Sequence, residues 1–194
     1  MENIYFIDLG LPSGTLWADR NLGAKSPEGC GEYFRFGETI PFTEDSPKYV
    51  GFKIESEETD SFQGCIAGTE YDAATVILGE SYRIPTINQV KELQTQCNWE
   101  WIELITVCGM KVTGPNGNSI FLPASGWGRR NDSELFNIGT YGYIWSSTCW
   151  PHDRLGQLGL FTFFEKDYWN IICNWRAGRL PIRAIAQSAP LSAL

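Results

Sequence analysis

The chain has 194 residues, 43% of them hydrophobic and 20% charged, which suits one globular domain that buries a core without disulfides or metals. Its formal net charge of −8 repels phosphate backbones and argues against nucleic-acid binding, and no apolar run approaches the length of a membrane helix. A single histidine, His152, leaves no histidine pair for a metal centre and makes a Ser-His-Asp triad a poor reading.

Met1 to Phe6 carries no basic segment and no long apolar stretch, so it reads as the start of a strand rather than as a signal peptide. The compartment is left open, with a cell surface and a phage particle both compatible. Tyr5 to Leu9 and Thr15 to Ala18 read as short strands joined by a Pro12-Ser13-Gly14 turn. Gly31 to Phe36 reads as a third strand. Pro41 to Gly68 has weak periodicity and many acids, and reads as a long loop excursion. Tyr71 to Leu78 predicts a short helix with Asp72 as its N-cap. Thr86 to Cys97 predicts the strongest helix, because Thr86 and Gln89 fit a capping box and Val90, Leu93 and Cys97 share one face.

Strands then follow: Trp99 to Cys108, and Met110 to Thr113 with Ser119 to Leu122 around Gly114-Pro115-Asn116-Gly117. Asn-Gly tolerates the positive φ angles of a type I′ turn, so a hairpin is expected there. Tyr143 to Ser147, Leu158 to Phe164, Tyr168 to Ile172 and Leu180 to Ala186 complete a strand-rich C-terminal half. The expected class is α+β: two helices segregated from an antiparallel sheet with many loops. The expected domain spans residues 1–187, with a frayed tail over 188–194.

Groups that carry chemistry are sparse. None of the six cysteines forms a C-x-x-C pair, so most are expected to be free, buried thiols. Cys149 is the one cysteine with a histidine close in sequence, and a packing role suits it better than a nucleophilic one. Glu32, Glu38, Asp132 and Glu134 could pair for glycoside hydrolysis, but nothing in their spacing selects them. No cofactor is expected and structural calcium is not indicated. The eight tryptophans divide in two. Trp17, Trp99, Trp101 and Trp145 lie in strand-like segments and are expected in the core, whereas Trp127, Trp150, Trp169 and Trp175 lie in or beside loops. Exposed Trp, Tyr and Arg dominate binding hot spots. Arg129, Arg130, Arg154, Arg176, Arg179 and Arg183 turn the charge balance basic downstream, although a scatter of surface charge accounts for this equally.

Several segments, taken together and in order, carry a family resemblance. Asp8-Leu9-Gly10-Leu11-Pro12-Ser13-Gly14, Leu16-Trp17-Ala18 and Asn21-Leu22-Gly23-Ala24 open it, followed by Gly31-Glu32-Tyr33-Phe34 and Phe36-Gly37-Glu38-Thr39. Asp72 to Val76, Tyr82 to Thr86, Val112 to Ala124 and Gly139 to Thr148 continue it. The chain thereby resembles the Fibrobacter succinogenes major paralogous domain, common in Bacteroides-type bacteria. The resemblance implies a C-type-lectin-like fold of the kind shared with formylglycine-generating enzymes. It is also similar to the variable proteins of diversity-generating retroelements, whose C-terminal repeat is rewritten at adenines to vary a ligand-binding face.

The last block of the family usually reads Arg, two variable positions, then Gly-Phe-Ser-Val-Arg-Pro-Val. Here Arg179, Leu180, Pro181 and Ala184 replace its Gly, Phe, Ser and Pro, while Arg183 remains. Family pattern is lost over Cys149 to Gln157 and Ile171 to Pro181, as in a recognition module that varies its loops on a constant scaffold. A ligand-binding face is therefore expected at Trp127, Trp150, His152, Asp153, Arg154, Gly159, Leu160, Ile171, Ile172, Cys173, Ala177 and Arg179. Most of these could arise from an adenine-containing Asn codon, though Trp150 could not. Drift, or packing against a partner domain, would leave the same pattern. The expected function is non-catalytic recognition or adhesion, with a protein or glycan target left open, no nucleic-acid partner and no membrane span. The alternatives are a formylglycine-generating-type oxidase, whose cysteine-pair segment finds no match here, and a structural cell-envelope or phage-fibre module.

Overall fold

A computed structural model describes residues 3–47, 64–130, 133–150 and 158–187. The chain begins with β1 (Phe6–Asp8), β2 (Thr15–Ala18) and β3 (Phe34–Arg35), then helix α1 (Ala73–Leu78) and β4 (Tyr82–Arg83). Helix α2 (Ile87–Gln96) leads into β5 (Asn98–Glu103), β6 (Cys108–Thr113) and β7 (Ser119–Pro123). A short pair follows, β8 (Trp127–Gly128) and β9 (Leu135–Phe136). The last strands are β10 (Gly142–Cys149), β11 (Leu158–Glu165), β12 (Tyr168–Trp175), β13 (Arg179–Leu180) and β14 (Ile185–Gln187). The class is α+β, with every strand pair among the described residues antiparallel.

Local chemistry explains both helices. The buried Asp72 carboxylate caps α1 through the N–H groups of Ala74 and Thr75, and also accepts from Gly68 and Ile84. Burial pushes this carboxyl up, and the backbone donors pull it back down. One side chain thus starts a helix and ties it to β4. In α2, Thr86 accepts from the Gln89 N–H, and the Gln89 side chain accepts from the Thr86 N–H, closing the expected capping box. Val90 and Leu93 are the apolar residues this helix buries.

Four small sheets result among the described residues. One joins the ends of the chain in the order β1-β2-β14-β4, a second holds β5-β6-β7, a third β3-β13-β8-β9, and the fourth β10-β11-β12. The fourth sheet separates two apolar clusters. Trp145 and Phe161 face the first, with Phe34, Phe36 and Leu180. Ile144 and Phe164 face the second, with Trp17, Leu93 and Val112. Side chains alternate faces along a strand, so a strand buried on both sides is mostly apolar, although Ser146, Ser147 and Thr162 are also buried here. Gly142 is where this packing is tightest: a Cβ there would lie 1.9 Å from the Phe164 ring.

The chain departs from expectation at identifiable points. The hairpin between β6 and β7 forms, but its turn is not type I′. Gly117 has φ +86° while Asn116 keeps a negative φ, and Gly117 donates to the Gly114 carbonyl. Proline at the second position presets the right-handed turn, and the left-handed residue falls one place later. In the stretch from Trp99 to Cys108, β5 ends at Glu103, and the chain turns over Leu104 to Val107 into β6, which takes in the strand expected from Met110 to Thr113. Leu180 to Ala186 is broken after Leu180; residues 181–184 bond instead to flanking loops and to β10, Ile182 O to the Leu22 N–H and Pro181 O to the Trp145 N–H. Trp17 and Trp145 are buried as expected, but Trp99 and Trp101 are only half-buried. None of the six cysteines forms a disulfide, yet only Cys149 is buried and Cys65 is exposed. The long excursion expected over Pro41 to Gly68 lies largely outside the described residues, and so does the tail after Gln187.

Arg183 is fully buried. Its Nε donates to Asn21 Oδ1 at 2.9 Å, Nη1 to the Ala18 carbonyl at 3.1 Å and Nη2 to the Phe121 carbonyl at 2.8 Å. Burial pushes its pKa down to about 9, with Asp19 opposing, so it stays charged at neutral pH. Lysine cannot reproduce three divergent donors on a planar fork. Arg183→Lys is expected to cost about 3 kcal/mol, read as a lowered urea midpoint with an unchanged slope.

Candidate functional site

Among the described residues, the face of the fourth sheet that carries Tyr143, Trp145, Phe161, Phe163 and Ile172 is not fully covered. Trp127 from β8, with Ala177, Gly178 and Leu180 at β13, closes over it and leaves a cavity of about 740 Å³. This lies within the range of small-molecule sites, which are concave and mostly apolar with a few placed polar groups. Trp175, at the end of β12, stands at the mouth with 60% of its surface exposed.

Ring contacts hold the walls. Trp145 meets Phe161 edge-on, at 5.7 Å between centroids and 87° between planes. Tyr143 lies 5.4 Å from Phe163 and 5.8 Å from Phe161. Trp127 lies 5.5 Å from Phe136 across the β8–β9 pair. The Trp145 indole N–H donates to the Phe34 carbonyl at 2.8 Å, which pins the floor of the cavity and satisfies the polar edge of a buried ring.

The polar groups sit on the same short hairpin. Asn137 follows β9 with φ 61°, the one non-glycine residue with positive φ among the described residues. Its carbonyl accepts from the Thr140 and Tyr141 N–H groups. Asparagine tolerates this conformation because its side chain is short and polar. Burial pushes the Tyr143 pKa up to about 12, with the neighbouring Asn137 side chain opposing. Arg129 and Arg130 follow β8 and line the cavity. The Arg129 guanidinium lies 4.5 Å over the Phe136 ring.

Arg179 sets this hairpin in place. Its Nε donates to the Arg129 carbonyl at 2.7 Å and its Nη2 to the Glu134 carbonyl at 3.1 Å. Its guanidinium also lies 3.9 Å over Phe42. Gly128 makes room, because a Cβ there would sit 2.5 Å from the guanidinium carbon.

Of the face expected from the sequence, Trp127, Ile172 and Ala177 do line the cavity. Gly159, Leu160 and Arg179 are buried rather than surface-facing. Gly159 sits against Phe36 and Trp145, where a Cβ would lie within 3.0 Å of both rings. Leu160 is 6% exposed on the inner strand of the sheet, and Arg179 is 3% exposed as a strut under the hairpin. Ile171 is half-buried against the second cluster, on the face opposite the cavity. Trp150 and Cys173 are half-buried outside the cavity lining. His152, Asp153 and Arg154 lie outside the described residues. Arg176 and Arg183, expected within a basic surface, are buried too.

The residues missed are Tyr143, Phe161, Phe163, Asn137, Arg129 and Arg130, together with Trp175, a loop aromatic noted but not placed on the face. Leu158 to Phe164 is apolar on both faces, so its period does not say which side meets a cavity. No known protein family, curated protein or solved structure matches this chain.

The raised pKa of Tyr143 makes a signed prediction. Folding favours the neutral phenol, so its contribution is fully present below the free phenol value of about 10 and is lost as pH rises through about 12. The stability gap between the native chain and Tyr143→Phe, from urea unfolding, is expected to stay flat to pH about 10 and to narrow above it.

Proposed function

We propose that this protein is a non-catalytic recognition module whose binding surface is centred on the aromatic cavity between β8, β13 and the β10–β12 sheet. The convergence of six aromatic side chains on one open cavity carries this reading. Exposed tryptophans are strong binding anchors when a partner buries them, and Trp175 is left 60% exposed there. We assign the scaffold to the C-type-lectin-like class. The pairing of β14 with β2, two helices beside antiparallel sheets, and the family-like segments support that assignment.

The test uses a neutral apolar fluorophore, N-phenyl-1-naphthylamine. It is expected to bind one saturable site and to lose about tenfold or more in affinity, roughly 1.4 kcal/mol, in Trp127→Ala and Trp175→Ala. Trp175→Ala should leave the unfolding midpoint nearly unchanged, since that ring is largely exposed. Non-saturable binding, or binding indifferent to both variants, would sink the reading.

The proposal covers a protein or a glycan target, and it includes diversification of the surface by a retroelement. The loss of family pattern over Cys149 to Gln157 and Ile171 to Pro181 supports the second point. Genomic sequence is expected to show a near-copy of this coding segment, mismatched mainly at adenines, beside a reverse-transcriptase gene. Its absence removes diversification from the proposal and leaves ligand binding standing.

A further inference from the structure

The polar groups of the cavity are arranged with two different ends. Gly128 pairs with Leu135 and Trp127 with Phe136, so Arg129 and Asn137 leave opposite ends of the β8–β9 hairpin. Residues advance about 3.3 Å along a strand, which places these two ends about 10 Å apart with the Trp127 indole between them. At one end Arg129 stacks on Phe136, an arrangement that leaves its N–H edges able to donate in plane. Arg130 joins it, and no carboxylate lines the cavity among the described residues. At the other end are the Asn137 amide and the Tyr143 hydroxyl. Cationic lining on a chain of net charge −8 is local complementarity for an anion, not an effect of overall charge.

We propose that the cavity binds a hydroxyaryl carboxylate: a flat apolar ring against Trp127 and Phe161, its carboxylate on Arg129, its hydroxyl on Asn137 and Tyr143. Guanidinium and carboxylate match as a two-point, charge-assisted hydrogen bond. The ring fills a mostly apolar interior, where a fully hydroxylated sugar would leave most of its hydrogen-bonding groups unmatched. The same ring-and-carboxylate unit occurs as a free small acid and as the C-terminal tyrosine of a peptide. The inference rests on the ligand-binding reading of this cavity.

Displacement of bound N-phenyl-1-naphthylamine from the whole chain tests it. The competitors are 6-hydroxy-2-naphthoate, its carboxamide, 2-naphthoate, glucuronate, and an acetylated tripeptide ending in tyrosine as acid or amide. The hydroxynaphthoate is expected to compete about tenfold better than its carboxamide, with a margin that shrinks in added salt. Arg129→Gln should abolish that margin, and Arg129→Lys should restore part of it. Asn137→Gly keeps the left-handed backbone and should erase the advantage of the hydroxylated over the plain naphthoate. A peptide acid that outcompetes the free acid identifies a chain terminus as the source, and the reverse identifies a small molecule. Equal affinity for acid and carboxamide while the fluorophore still binds overturns the inference and spares the binding-module reading. Glucuronate competing as well as the naphthoate overturns the apolar-ring assignment. Failure of the native chain to bind the fluorophore overturns both.

Discussion

The buried guanidinium of Arg183 is the point on which the two ends of the chain close. It reaches the end of β2 through Ala18, the loop after it through Asn21, and β7 through Phe121. Those contacts lie more than a hundred residues away in sequence on one side and about sixty on the other. A buried cation is costly unless its donors are met. Here backbone carbonyls and one amide meet them, so losing any partner strands a charge. This makes the register of β14 against β2 hard to shift, because a slip would carry Arg183 away from its acceptors. The short segment before β14 is held by the same closure, and β13 with it.

From β13 the constraint passes to the site. Arg179 is fixed between β3 and β8 by strand pairing, and its guanidinium holds the backbone of Arg129 and Glu134. The rim of the cavity is therefore suspended from a scaffold arginine, and Gly128 is needed because the guanidinium occupies the space of a side chain. The C-terminal basic residues thus serve two purposes. Arg176, Arg179 and Arg183 are structural and inward, whereas Arg129 and Arg130 line the cavity. Net charge along the sequence does not separate these, since both kinds are equally basic.

The cavity itself follows from an imbalance in covering. The β10–β12 sheet is mostly apolar on both faces. α2 and the β5–β7 sheet side cover one of them. The short strands β8 and β13 only partly cover the other, which leaves aromatic rings facing an opening. Strands of two residues cannot bury an eight-residue neighbour, so the space between Trp127 and Phe161 is a direct result of element length.

Read alone, the sequence determined features whose physics is local. The capping box at Thr86 and Gln89, the Asp72 cap, the α+β order of elements and the hairpin before Ser119 all depend on neighbours within a few residues. Even there, Pro115 moved the left-handed residue to Gly117, a competition between two turn preferences that spacing did not resolve. Trp127, Ile172 and Ala177, expected on a binding face from loop aromatics and loss of family pattern, line the cavity. Tertiary structure alone decided which arginines were inward, that Phe161 and Phe163 lay on the face lining the cavity, and that Gly159 had no room for a side chain. Each of these depends on what lies across a sheet or a gap, and alternation along one strand carries no record of the strand or loop that packs against it.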